Sequence, residues 1–399
     1  MTMTTSKMTA SEMSPAGAAS SVARAPSRTT AKYAAHRIEG TQAVLDLIAA
    51  HETTSTALAF QRQSWLRPIY ENLAADLGAT AVAVCVANAV SGDLAMVLPL
   101  IQQREGGLTV VTWASLGVSD YGAPLLGPAA PETAREAEAL WKAVKRALAG
   151  VDTIELANMP AMIAGRVNPL ARLSACLPSR HQGHTLTLTG SVEAFLASRG
   201  KKYRKEAERC GRLLADMGTV EFRRAETQSE IAAAYATLET QQRDRHAGRG
   251  SGYRLNEHAY ARFFREALVA GTASGAVHIF TLKAGAETAA VLYGISHAGT
   301  FTLLRISTGG EAWKRASPGR LIVLETMRYF LSHGVSTFDM GIGDYDFKHG
   351  FGVEVTELTD AISALTLRGT PRTGALRLKA KIRQFPALAS ATKQMLGRN

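Results

Sequence analysis

Between Asp339 and His349 the chain reads DMGIGDYDFKH, placing three carboxylates, a phenol, an amine and an imidazole within eleven residues. Such a set suits acyl transfer. An amine or hydroxyl attacking a carbonyl needs a base for its proton, donors for the developing oxyanion, and an acid for the leaving group. Asp339 is the first candidate for a base or acceptor-orienting group, and Asp344 is the second. Tyr345 has the chemistry to protonate a departing thiolate, and Lys348 to bind an acidic acceptor or hold Asp344. Each has a structural alternative, because side chains such as these also cap turns, pack, or form surface pairs.

A helix and a strand must deliver this cluster. Ser317 is a suitable N-cap, Pro318 suits the first helical position, and Gly319 keeps the entry uncluttered, with Arg320 adding positive charge. Leu321, Leu324, Met327, Phe330 and Leu331 follow at helical spacing, and Gly334 stands as a C-terminal stop. Val335 to Phe338 then reads as a short strand carrying Asp339 at its end. Free N–H groups and partial positive charge at a helix N-terminus accept a phosphate, so Ser317 to Arg320 is the candidate pyrophosphate site. The alternative is that Ser-Pro-Gly only starts the helix.

Ser317-Pro318-Gly319, the helix, Phe338-Asp339, Gly343-Asp344 and the pair Phe347-Lys348 together resemble the signature of the CelD/BcsL-type acetyltransferases. That group is a branch of the GNAT superfamily, related to the Fem-type aminoacyl transferases and associated with cellulose or exopolysaccharide biosynthesis. The resemblance spans about residues 60–367, with its specific motifs in the last part. It implies an α/β (α+β) protein of two GNAT-like mixed-sheet lobes in tandem with flanking helices. It also implies acetyl-CoA or another acyl-CoA as cosubstrate, no metal, and a small-molecule or saccharide acceptor. Ile342 stands where the group often has Arg, and Phe347 where it usually has Tyr. A Fem-like transferase using aminoacyl-tRNA and a non-catalytic GNAT-like scaffold are the competing readings.

The formal charge of the 399 residues is +11, yet it is unevenly spread. Residues 1–37 hold five basic residues against one acid, and eight basic residues with no acid follow Asp360. The body between is almost neutral, which argues against a nucleic-acid groove and leaves an anionic membrane surface or polyanion as partner for the ends. In the tail, Leu376, Leu378, Ile382 and Phe385 alternate with Arg377, Lys379, Lys381 and Arg383, a pattern for lying on anionic lipid or docking back on the protein. Cys85, Cys176 and Cys210 lie far apart outside any CxxC, as suits a reducing cytoplasm. No secretory signal or membrane span is read, so the expected location is cytoplasmic, peripheral to the inner face of the membrane if the tail binds there.

Four segments are expected: a disordered arm over 1–37, an N-terminal GNAT-like lobe over 38–190, a C-terminal lobe over 191–370 bearing the signature, and a basic tail over 371–399. Helices are predicted over 41–50, 55–77, 133–149, 195–217 and 256–270, with another from Thr227, whose capping box closes on Glu230. Strands are predicted over 81–87, 94–102, 108–114, 153–156 and 185–189, and Ser119-Asp120-Tyr121-Gly122 opens a loop. A meander over 275–284, 287–295 and 300–306 leads into the Ser317 helix. The 195–217 helix forms a basic shelf, with Lys202–Glu206 and Glu208–Arg212 as its pairs. His246 to Gly252 reads as a flexible lid. Gly294-Ile295-Ser296-His297-Ala298 lacks the last glycine of a nucleophile elbow, and His181 with His184 lacks a third ligand, so both are read as structural.

Overall fold

The computed structural model describes residues 31–247 and 253–384, and the described residues from Lys32 onward form one compact unit. Strand β1 (Tyr33–Glu39) is followed by α1 (Thr41–His51), α2 (Gln63–Pro68) and α3 (Ala74–Asp76). Next come β2 (Thr80–Asn88), β3 (Leu94–Glu105), β4 (Leu108–Trp113), the short β5 (Leu125–Leu126), α4 (Ala134–Ala147) and β6 (Thr153–Pro160). A small hairpin, β7 (Met162–Ile163) and β8 (Arg166–Val167), precedes β9 (Cys176–Thr187). The second half runs α5 (Val192–Ser198), α6 (Lys201–Ala215), β10 (Val220–Arg224), α7 (Gln228–His246), α8 (His258–Thr272) and β11 (Val277–Ala284). It continues β12 (Glu287–His297), β13 (Thr300–Thr308), α9 (Pro318–Ser332), β14 (Thr337–Ile342), α10 (Asp346–Phe351), β15 (Glu354–Ala364) and α11 (Thr370–Arg383).

The same unit occurs twice. In the first half the antiparallel meander β2-β3-β4 passes through α4 to β6, which pairs parallel with β4. In the second half β11-β12-β13 passes through α9 to β14, parallel to β13. Each parallel pair spans three residues a side, Val110–Thr112 with Thr153–Glu155 and Thr300–Thr302 with Thr337–Asp339. This is a tandem pair of GNAT-like mixed-sheet units, the fold class expected.

The halves interlock. The sheet order is β1-β2-β3-β4-β6-β15-β9-β14-β13-β12-β11-β10, with β5 on the edge of β3. Strand β9 from the first half therefore pairs with β14 of the second, while β15 returns to pair with β6. Boundaries at residues 190 and 370 do not divide such a sheet. The arm expected over 1–37 is corrected at its end, since Tyr33–Glu39 is a strand paired with β2. Of the tail expected over 371–399, the part to Arg383 lies in α11 and packs back on β9 and β15, one of its two expected placements.

Several local expectations shift for physical reasons. The 55–77 helix begins only at Gln63, after an extended Arg62, and runs on past Pro68 through a π turn at Ile69–Leu73 to Asp76. The 195–217 helix divides at Gly200, whose φ of 85° fits the N-cap of α6 and not a helix interior. The pairs on α6 are Arg204–Glu208 and Arg209–Glu206 instead of those expected. Thr227 and Glu230 do form the capping box of α7. The 185–189 strand is longer and earlier, as β9, and carries both His181 and His184.

Apolar residues of both halves merge in one core, where Trp65 is buried with its ring 4.9 Å from Phe263 and 6.2 Å from Phe264 of α8. Arg305 on β13 is also buried, its guanidinium donating to Gln242, Tyr235 and Asn256 and lying 4.7 Å from the Phe264 ring. No carboxylate pairs with it among the described residues, so side-chain oxygens and ring faces hold this charge.

Candidate active site at the parting of two strands

Strands β13 and β14 separate beyond Thr302 and Asp339, and the gap between them is where the chemistry collects. Strand β14 turns inward there because β9 continues to hold it, with a register shift between Asp339 and Ile342. Gly341 takes φ 74° at this bend. A Cβ on Gly341 would stand 2.3 Å from Oδ2 of Asp120, so only glycine admits that carboxylate. Gly341→Ala is expected to cost about 1–3 kcal/mol from backbone strain, before the cost of expelling Asp120. Urea unfolding of the variant beside wild type measures it.

Asp339 lies within β14, buried, and its Oδ1 accepts from the Tyr121 hydroxyl at 2.9 Å and the Gly341 N–H at 2.7 Å. Oδ2 has only a 3.5 Å contact with the Thr302 hydroxyl and keeps capacity for another proton. Asp120 lies beside it and accepts the Ile342 N–H at 3.0 Å. Burial pushes Asp339 up to about 7, aided by the Asp120 charge and opposed by the Gly341 N–H and Tyr121. Burial pushes Asp120 up to about 6, opposed by the Ile342 N–H and by Lys348. Two neighbouring carboxyls raised into this range are placed where a general acid or base would titrate near neutral pH.

Lys348 is buried and donates to the carbonyls of Gly341 at 2.9 Å and Ile342 at 2.9 Å. This corrects the expectation that it holds Asp344 or meets an acceptor directly. Its ammonium, lowered by burial, ties α10 under the bend of β14. His184 of β9 is buried on the same side, with Nδ1 3.4 Å from the Gly341 carbonyl. His181 and His184 therefore lie on a strand, not a polar loop, and no group of three metal-binding side chains occurs among the described residues. Asp344 is exposed and pairs with His349 at 2.5 Å. Tyr345 is 59% exposed, stacked on Phe347 and over the Lys348 ammonium. Asp344 and Tyr345 thus belong to the rim, whereas Asp339 and Lys348 are inside.

At the other wall, α9 begins where β13 ends. Pro318 is buried at its first position, as expected. Ser317 is corrected: it adopts φ 45°, ψ 54°, and its side chain makes no capping bond. Its hydroxyl faces the Cys210 thiol of α6. Gly319 sits tightly, since a Cβ there would be 3.2 Å from Cγ2 of Thr308. Arg320 lies 5.2 Å from the Tyr203 ring and 4.0 Å from Glu206, too far for a hydrogen bond. Its Nη1 and the Tyr203 hydroxyl are buried with no hydrogen-bond partner among the described residues. Both atoms are enclosed and Nη1 is ion-paired with Glu206 at 4.0 Å, so an anionic oxygen would satisfy these donors only by displacing that neighbour.

Asp120 and Tyr121 escaped the functional reading of the sequence. Their only signal is an Asp-Tyr pair in a loop directly after a strand. Ser296 lies on β12 as read, donating to the Gly275 carbonyl and 2.8 Å from His278. Of the expected lid, residues 248–252 lie outside the described residues. A cavity of 460 Å³ opens elsewhere, beside residues 62–67 and 274–277. Its cations are engaged, Arg62 with Glu52 and Arg67 with Glu71, and none of the site residues lines it.

Residues 201–349 match the family model described as an acetyltransferase (GNAT) domain. The match runs from α6 into α10, so it includes Asp339 and Lys348 but neither Asp120 nor Tyr121. FemX shares the fold, with a TM-score of 0.54 at 12% identity over 81% of this chain and 96% of its own. So does the C-terminal domain (DUF2156) of a putative lysylphosphatidylglycerol synthetase from Agrobacterium fabrum, with a TM-score of 0.52 at 11% identity over 86% of this chain and 97% of that one. No curated protein sequence matches the chain. The match assigns residues 201–349 to a GNAT-type acetyltransferase domain, and the fold is one shared with FemX.

Proposed function

We propose that this protein transfers an acetyl or other acyl group from acyl-CoA to an amine or hydroxyl acceptor. The observation carrying this reading is the parting of β13 and β14 with Asp339 on one wall and the start of α9 on the other. Ser317, Pro318, Gly319 and Arg320, joined by Tyr203, would hold the cosubstrate's phosphates. Bound acyl-CoA supplies the thioester carbonyl that the acceptor attacks. Asp339 takes the acceptor's proton on Oδ2, and Tyr121 and Gly341 orient the carboxylate through Oδ1. Asp120 raises the proton affinity of Asp339 while charged, and Lys348 fixes the bend that carries both. Tyr345 and Asp344, on the rim, are proposed to return a proton to the leaving thiolate and to guide the acceptor.

A saccharide or lipid-linked acceptor in polysaccharide synthesis rests on the CelD/BcsL resemblance alone. The cytoplasm is the location that suits three free cysteines. A second reading, Fem-like transfer of an aminoacyl group, is favoured by the likeness to FemX and to the synthetase domain. The near-neutral body supports acyl-CoA over a large tRNA footprint.

Calorimetry with acetyl-CoA tests the reading, with Arg320→Ala, Gly319→Val and Ser317→Ala beside wild type. Micromolar binding that weakens about ten-fold or more in Arg320→Ala is expected, as for loss of a charge-assisted phosphate contact. Absence of binding for every acyl-CoA tried, with binding of charged tRNA, would turn the assignment to the second reading.

A further inference from the structure

Helix α11 packs against β9 and β15, burying Thr373 and Ala380. At 100° per residue, the side turned away from those two is centred on Ala375, Leu378 and Ile382. Leu378 is 59% exposed there. Lys379 and Arg383 flank that stripe on one side and Arg377 and Lys381 on the other, all four exposed. Leu367, just before the helix, is 91% exposed, and Arg368 beside it adds a further cation. Of the carboxylates near the helix start, Glu105 and Glu155 are taken by Arg372, and Asp152 accepts from the Thr366 hydroxyl and faces Arg368. The face thus offers basic charge that no carboxylate of the helix offsets. Between α11 and residues 174–177 runs a cavity of 350 Å³ lined by Arg377, Leu378 and Lys381.

From this face we infer that α11 docks the protein on an anionic phospholipid surface. Lysines and arginines on both flanks of a short apolar stripe match the interface, with charge at the headgroups and Leu378 and Ile382 at the acyl boundary. Nucleic acid would use the cations but has no use for exposed leucines beside them. The helix is already folded and docked, so no backbone ordering opposes binding through it. Among the described residues no helix is long and apolar enough to cross a membrane, so the association would be peripheral. The inference stands apart from the acyl-transfer reading and can fail without it.

Flotation of the full chain with phosphatidylglycerol–phosphatidylcholine vesicles, against phosphatidylcholine alone, is the test. Binding to the anionic vesicles that falls with salt is expected, with a loss of roughly five-fold for each of Lys379, Lys381 and Arg383 changed to Gln. Leu378→Ser weakens vesicle binding as well, and circular dichroism checks that the variants stay folded. Equal binding to both vesicles, or none to anionic vesicles at low salt, overturns the inference. Binding that survives the triple variant places the contact elsewhere and also overturns it. Retention on a nucleic-acid column that these lysines control and Leu378→Ser leaves unchanged, with no flotation, assigns the face to nucleic acid instead.

Discussion

Asp339→Asn lowers kcat for acyl transfer by about 10²–10⁴-fold, the range for loss of a positioned general base, while the Kd for acyl-CoA moves by less than about two-fold. Asn keeps a carbonyl oxygen that accepts from Tyr121 and Gly341, so the bend of β14 survives and only the proton acceptor is lost. Equal loss of turnover and of cofactor binding would show a structural role. The pH dependence gives a second readout. A base held up to about 7 must lose its proton to act, so wild-type activity climbs through that region and levels above it. Asp120→Asn removes a negative neighbour that raises Asp339, and the climb then moves to lower pH.

Stability has the opposite slope. The folded carboxyl holds its proton up to about 7, whereas in the unfolded chain it is lost near the ordinary carboxylate value. The folded state therefore binds more protons across that window. Stability falls as pH rises through it and is flat beyond. Asp339→Asn abolishes this part of the slope, measured by urea unfolding at several pH values.

Trp65→Ala costs about 3–5 kcal/mol of folding stability, as expected for truncating a buried indole. Trp65 is 1% exposed and touches Phe60 of its own half as well as Phe263 and Phe264 of the other. Its Nε1 also donates to the Ser119 hydroxyl at 2.9 Å, one residue before Asp120. The variant should thus lose activity along with stability, because the loop carrying Asp120 and Tyr121 leans on the indole. Trp65→Phe keeps most of the packing and removes the Ser119 bond, which separates the two effects. If Trp65→Ala unfolds with unchanged midpoint and slope in urea, the shared core does not join the halves as described.

The sequence by itself determined the local pieces and their order. Spacing placed α1, α4, α7 and α9, with the capping box of α7, and the meander β11-β12-β13, because these depend on contacts within a few residues. It also placed Asp339 and Lys348 near one strand end. What only the tertiary structure decided is everything that crosses the chain. Tyr121 reaches Asp339 across 218 residues, and neither one's sequence neighbourhood encodes that meeting. Lys348 changed from a surface cation to a buried strut because β9 holds β14 in a bend, and β15 crossed to the first half because β6 had an open edge. Strand pairing is non-local, with register set by which faces are buried together, so the interlocked sheet and the carboxyl pair at its centre arise only once both halves have folded onto each other.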